Sequence, residues 1–194
     1  MNVEGYNQNL DIEQRFQYEL KLKNEQVSSI KCNFVQVQKI SVLSNVTKKK
    51  GVFYFKNQNN ILLSFVDGDF IKMNDKWFEM KTGENVTATK ISSNPMLKNL
   101  SSILSACVVG NFDKMNSGFS IAFEEKQNKW IVILTPKKSK FASKVSRIVI
   151  HFDRTNMSID LLKMEEKSGD YTEYSFSNKQ FNINIDSELF KISK

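Results

Sequence analysis

The sequence predicts a mainly β (α+β) fold. One large, curved antiparallel sheet of about eleven or twelve strands forms an incomplete half-barrel, with helices as a lid over its concave face. Three observations carry this expectation. Apolar residues alternate with period two through most of the chain after Ser29. The alternating runs are separated by short turn signals such as "KNQNN", "DG", "ND" and "KTG". Only two stretches, 11–26 and 96–108, carry helical spacing.

Taken in order, residues 1–10 are polar and are expected to be disordered. Residues 11–26 predict a helix, because Ile12, Phe16 and Leu20 are four apart and Asp11 or Asn9 can cap it. Ile30, Cys32 and Phe34 then lie on one face of a first strand, Val35 and Val37 on the other. Strands are expected at 51–56, 61–66, 69–73, 76–80 and 86–91. The segment "SNPMLKNLSSILSACVVGNF" predicts an amphipathic helix. Asn94 can cap it, Pro95 suits its first turn and Gly110 its end. Met96, Leu100, Ile103, Leu104 and Cys107 form its apolar side. Strands resume at 118–124, 130–135, 144–152, 157–165, 170–176 and 181–185. No Pro-, Gly- or Ser-rich linker and no fixed-period repeat divides the chain, so residues 1–194 read as one domain.

Composition narrows the class. With 40% hydrophobic and 25% charged residues the chain can fold a core. Phe is abundant at 15 against 7 Gly, which favours half-buried strands. The net charge of +7 is concentrated in Lys48-Lys49-Lys50 and in Lys137, Lys138 and Lys140, read as solvated turns or as a surface for an anionic partner. Nucleic acid is not expected, because the aromatics alternate along strands and do not interleave with Arg. Cys32 and Cys107 both read as small core residues, with a disulfide left open. No run reaches the roughly 18 apolar residues of a membrane helix. No signal-peptide pattern precedes Asn2, which reads as a cytosolic chain or a mature exported one.

Catalytic chemistry finds little support. His151 is the single histidine, so neither a metal site nor a Ser-His-Asp set is expected. The "SGD" and "DGD" segments are turns, not phosphate loops. Glu124-Glu125 and Glu165-Glu166 are adjacent on strands and point to opposite faces. The chain reads as a non-enzyme without a cofactor. What stands out is that its strands are apolar on both sides. Phe53 and Phe55 oppose Val52 and Tyr54, and Leu63 and Phe65 oppose Leu62. Phe152, Ile159, Leu161, Leu162, Met164 and Phe176 also fall on both faces. Such strands enclose either a solid core or an apolar trough fit for acyl chains.

Several pieces in order resemble the LolA family of periplasmic lipoprotein carriers, over roughly residues 12–190. Phe34-Val35-Gln36 is similar to the family's Phe-x-Gln. "GVFYFKNQNNILLSF" resembles its Gly-led hairpin and "NDKWFEM" its Trp-bearing strand. "NPMLKNLSSIL" stands where the lid helix does, "WIVILTPK" is similar to its Leu-x-Pro-Lys strand, and residues 148–178 with "FNINIDSELF" resemble its terminal meander.

The resemblance implies a periplasmic monomer that shields lipoprotein acyl chains between an inner-membrane exporter and an outer-membrane acceptor, with transient membrane contact. It implies cavity positions Phe53, Phe55, Leu63 and Phe65 on the strands, with Phe34 and Trp77. Phe16 and Leu20 come from the first helix, and Leu97, Leu100, Ile103 and Leu104 from the lid. Phe55→Glu is then expected to abolish lipid binding and leave the sheet folded. Two departures stand out: Asn57 replaces the family's latching Arg, and a Pro-rich turn and extra strand of some members are not seen before Lys194. Other uses of the same fold are carriage of another lipid or glycolipid, and a lipoprotein-sensing interaction domain.

Overall fold

The computed structural model describes residues 10–43, 45–56, 59–109, 112 and 115–193. The expectations for residues 1–9, for Asn57 and for Gly110 lie outside these.

Helix α1 (Ile12–Asn24) begins at Asp11, which forms a reciprocal capping box. Gln14 N donates to Asp11 Oδ1 at 2.8 Å, and Asp11 N donates to Gln14 Oε1 at 3.2 Å. Six strands follow: β1 (Ser29–Ile40), β2 (Asn45–Lys56), β3 (Asn60–Phe65), β4 (Phe70–Met73), β5 (Trp77–Thr82) and β6 (Asn85–Lys90). Helix α2 (Pro95–Val109) interrupts them, its entry capped by Asn94, whose Oδ1 accepts from Leu97 N at 3.4 Å. Then come β7 (Phe119–Glu125), β8 (Lys129–Pro136), β9 (Val145–Asp153), β10 (Ile159–Glu166) and β11 (Tyr171–Phe181).

The eleven strands form one antiparallel sheet in the order β6-β5-β4-β3-β2-β1-β11-β10-β9-β8-β7. Every neighbouring pair but one is consecutive in sequence. The exception is β1 with β11, which joins the two halves, while β6 and β7 remain edges, so the sheet is curved but not closed.

Two expectations are corrected. Residues 182–185 form no strand. After β11 the chain turns at Asn182 (φ 56°), whose N–H donates to Ser29 O at 2.9 Å, and leaves the sheet. Lys48-Lys49-Lys50 lie inside β2, not in a turn. Lys48 and Lys50 are exposed and Lys49 half-buried, while the run keeps its ladder partners Val37, Gln36 and Val35.

The two-sided apolar pattern has a physical explanation. On the inner face, Phe16 of α1 is fully buried among Phe112, Phe123, Trp130 and Phe152, with ring centroids 5.2 to 5.7 Å away. Leu20, Ile103 and Cys107 continue that core. On the outer face, the segment after β11 returns as a strap. Ile185 and Phe190 bury Leu62, with Tyr54, Phe70 and Ile183 packed alongside. The strap is tied by Lys56 Nζ, which donates to Ile185 O at 2.6 Å, and by Ser193 N, which donates to Glu79 Oε1 at 2.7 Å.

Polar contacts fix α1 over β7–β9. Trp130 Nε1 donates to Glu19 Oε2 at 2.9 Å. Arg15 pairs with Glu125 at 2.8 Å, and Arg154 bridges Glu19 (3.3 Å) and Glu125 (2.7 Å). The Arg15 and Arg154 guanidinium groups lie 6.0 and 5.5 Å from the Trp130 ring centre.

Candidate functional site

Helix α2 lies across the seam where the two halves of the sheet meet, and an apolar cavity of about 60 Å³ remains beneath it. Leu104 and Cys107 of α2 contribute the roof. The floor comes from Ile30 and Cys32 of β1, Phe53 of β2 and Ile61 of β3 on one side. Met157, Ser158, Ile159 and Leu162 around the start of β10, and Phe176 and Lys179 of β11, line the other side. Asn24 closes one margin, and its Nδ2 donates to Cys107 O at 3.3 Å. Phe53 and Phe176 meet across β1 with centroids 5.4 Å apart. The volume is far below the roughly 300–1,000 Å³ of an occupied ligand pocket, so the apolar surfaces of α2 and the sheet largely pack against each other.

Of the twelve positions named from the sequence, Phe53 and Leu104 line this cavity. Phe55 is 1% exposed and belongs to an adjoining core with Ile61, Met73 and Ile91, against which Leu63 packs. Phe34 and Phe65 pack edge to face, 5.1 Å apart, against the β2 backbone at Gly51. Phe16, Leu20 and Ile103 belong to the core under α1. Leu97 and Leu100 are half-buried on α2, and Trp77 is half-buried on β5 with Lys90 Nζ 5.7 Å from its ring centre. The structure therefore gathers two of the twelve at the cavity and places nine in the adjoining packing or on α2; Trp77 instead shares the outer face of β5 with Glu79, beside Phe190 of the strap.

The expectation for Phe55→Glu changes accordingly, because a carboxylate there would enter the core and not the cavity. Sequence reasoning missed the contribution of β10 and β11. Phe176 could have been found from its alternation with Tyr174. Lys179 could not, because strict alternation turns it to the outer face.

Both cysteines are free, buried and on the cavity wall. Burial pushes the Cys32 thiol up to about 12, with the nearby Lys179 ammonium pulling partly the other way. Burial raises Cys107 as well. Neither is a ready thiolate. Burial also lowers the His151 pKa, which favours the neutral imidazole. Among the described residues no group of three or more His, Cys, Asp or Glu is placed to hold a metal ion. No described helix is long and apolar enough to cross a membrane.

The profile of the family described as outer membrane lipoprotein carrier protein LolA matches residues 25–193. No curated protein sequence matches the chain. Among solved structures, an uncharacterized conserved protein from Thermus thermophilus superposes with a TM-score of 0.55 at 8% identity, covering 93% of this chain and 94% of that one. MucB superposes with a TM-score of 0.50 at 10% identity, covering 92% of this chain but 62% of MucB. A LolA superfamily protein from Nitrosomonas europaea gives 0.46 at 11% identity, covering 91% and 97%. At such identities the first two likenesses establish the fold alone. The profile match spans both halves of the sheet, the helix across their seam and the outer strap, and by that match the chain belongs to the LolA family.

Proposed function

We propose that the protein is a periplasmic carrier that shields the acyl chains of lipoproteins in transit from the inner to the outer membrane. The observation that carries this reading is the apolar seam between α2 and the sheet, lined by ten apolar or thiol side chains among the thirteen residues around it. In the closed form Leu104 and Cys107 cover this seam. Lifting α2 would expose Phe53, Phe176 and Ile61, and incoming methylenes would take over the contacts that α2 gives up. Each buried CH₂ contributes about 0.8 kcal/mol, so an acyl chain can offset the cost of opening. Family membership supports the same reading. An inner-membrane exporter would deliver cargo and an outer-membrane acceptor would remove it, each through transient contact with a monomeric carrier.

The test is to purify the protein from cells with working envelope export, extract it with organic solvent and analyse the extract by mass spectrometry. Stoichiometric acyl-bearing species or co-purified lipoproteins are expected. A lipid-free protein that also takes up no fluorescent acyl probe would overturn the reading and leave the seam a filled core.

A further inference from the structure

Ten of the thirteen lining residues are apolar or thiol, and of the three polar ones, Asn24, Ser158 and Lys179, only the lysine carries a charge. Lys179 is on its wall with only 10% of its side chain exposed. A buried ammonium is costly unless it is paired, so its placement needs a cause.

The backbone puts it there. Phe176 faces the cavity, and strict alternation would turn Lys179, three residues on, to the outer face. The β1–β11 register slips between Asn33↔Ser177 and Lys31↔Gln180, so Asn178 and Lys179 together oppose Cys32. Asn178 takes up the extra residue at φ 55°, a left-handed conformation that asparagine adopts more readily than most side-chain-bearing residues. The bulge re-aims Lys179 onto the cavity wall beside Cys32. Opposite it, the turn between β9 and β10 carries a second left-handed residue, Met157 (φ 53°), which together with Ser158 lines the same cavity. Lys179 Nζ donates to Ser158 Oγ at 2.8 Å and to Asp160 Oδ1 at 2.5 Å. Ser158 is 9% exposed, whereas the Asp160 side chain is 46% exposed. The ammonium is thus held from the inside by a buried hydroxyl and from the outside by a carboxylate that can turn away into water.

We infer that Lys179, with Ser158, is the headgroup anchor of this cavity, selecting amphiphiles whose acyl chain enters the seam and whose carboxylate or phosphate oxygen takes the place of Asp160. The inference rests on the acyl-carrier part of that reading and goes beyond its cargo: the acyl chains of a lipoprotein hang on neutral esters and amides, whereas the ligand selected here bears an anionic group next to its chain. A charge-assisted hydrogen bond in a largely buried site gives it the strength to discriminate.

The test is displacement of a neutral fluorescent probe by oleate, by oleoyl lysophosphatidate and by methyl oleate. Wild-type protein is compared with Lys179→Met and with Lys179→Arg, which keeps the charge. The wild type is expected to prefer at least one anionic ligand over methyl oleate by about tenfold, the difference between a buried charge-assisted bond and the half-exposed Asp160 pairing that it replaces. Whichever anion is favoured identifies the headgroup as carboxylate or phosphate. Lys179→Met is expected to bring the anionic ligands down to the affinity of methyl oleate and so erase the preference, while Lys179→Arg retains much of it. Equal wild-type affinity for all three ligands would overturn the anchor and leave the carrier reading standing, and needs no variant to observe. A Lys179→Met protein that loses all three equally would make Lys179 a structural residue only. Failure of every ligand to displace or bind would overturn the carrier reading and the anchor with it.

Discussion

Asn24, the last residue of α1, donates from Nδ2 to the carbonyl oxygen of Cys107 in α2, 83 residues away in sequence. This bond ties the helix across the seam to a helix that is itself anchored by Phe16 and the Glu19–Trp130 contact. The described residues of α2 also pack through Ile103, Ala106 and Cys107 in the core. Asn24→Ala is expected to cost about 1 kcal/mol and to speed amide exchange in α2 more than in the sheet. Uptake of an acyl probe should also accelerate. Unchanged exchange in α2 would show that the bond does not restrain it.

Phe53 and Phe55 lie on the same face of β2 but answer to different surroundings. Phe53→Glu places a carboxylate on the cavity wall and is expected to weaken acyl-probe binding while the far-ultraviolet circular dichroism stays native. Phe55→Glu buries an unpaired carboxylate in a filled core and is expected to lower stability by several kcal/mol, read by urea unfolding, on the order of the 3–5 kcal/mol seen for large core deletions. The reverse pattern would relocate the cavity to β3–β5.

Gly51 has a packing reason to be glycine. A Cβ there would run into Ser64 O and come within 2.7 Å of the Phe34 ring. Gly51→Ala must therefore displace the β3 backbone, and a loss of about 1–3 kcal/mol is expected in urea unfolding. A neutral result would mean that β2 and β3 separate easily at this point.

Glu79 is fully buried on the outer face, between Lys72 Nζ at 3.4 Å and Ser193 N at 2.7 Å. Its Oε2 makes no hydrogen bond of good geometry, so the Lys72 pairing is chiefly electrostatic. Glu79→Ala leaves the Lys72 ammonium with the Lys191 carbonyl at 3.0 Å as acceptor and frees Ser193 N. The expected cost is about 3 kcal/mol, and amide exchange should rise first in residues 183–193. If those amides stay protected, Ile185 and Phe190 hold the strap without it.

The Arg147 guanidinium, hydrogen-bonded to Glu165, holds that carboxyl below the ordinary carboxylate range. Ser41 does the same to Asp170 through its hydroxyl and its backbone N–H. A carboxyl lowered in the folded state adds stability above its unfolded pKa and loses it as pH falls through the folded value. Stability is therefore expected to decline as pH drops below about 5. Arg147→Ala should flatten part of that decline, with the two urea-midpoint curves converging in acid. The effect is small because half the Arg147 side chain is in solvent, so only the difference in slope is diagnostic. Parallel curves would show that Arg147 does not set the Glu165 titration.

Much of this protein was legible in its sequence because the signals are local. Alternation placed most of the strands, since side chains two apart share a face whatever the partner. Asp11 and Asn94 announced their helices because capping uses only atoms within three residues. The resemblance to the LolA family implied Phe53 and Leu104 as cavity positions, and both line the cavity.

The tertiary structure decided the rest. The outer face became a second buried surface only because residues after Asn182 leave the sheet and fold back over Leu62 and Glu79, a contact set by no local pattern. The cavity lies at the joint of β1 with β11, strands whose paired residues are some 140 positions apart, so neither strand alone marks it. The bulge at Asn178 reverses which face a lysine occupies. A period-two reading assigns Lys179 to the outside, and only the register of two distant strands, one residue out of step, turns its charge onto the cavity wall.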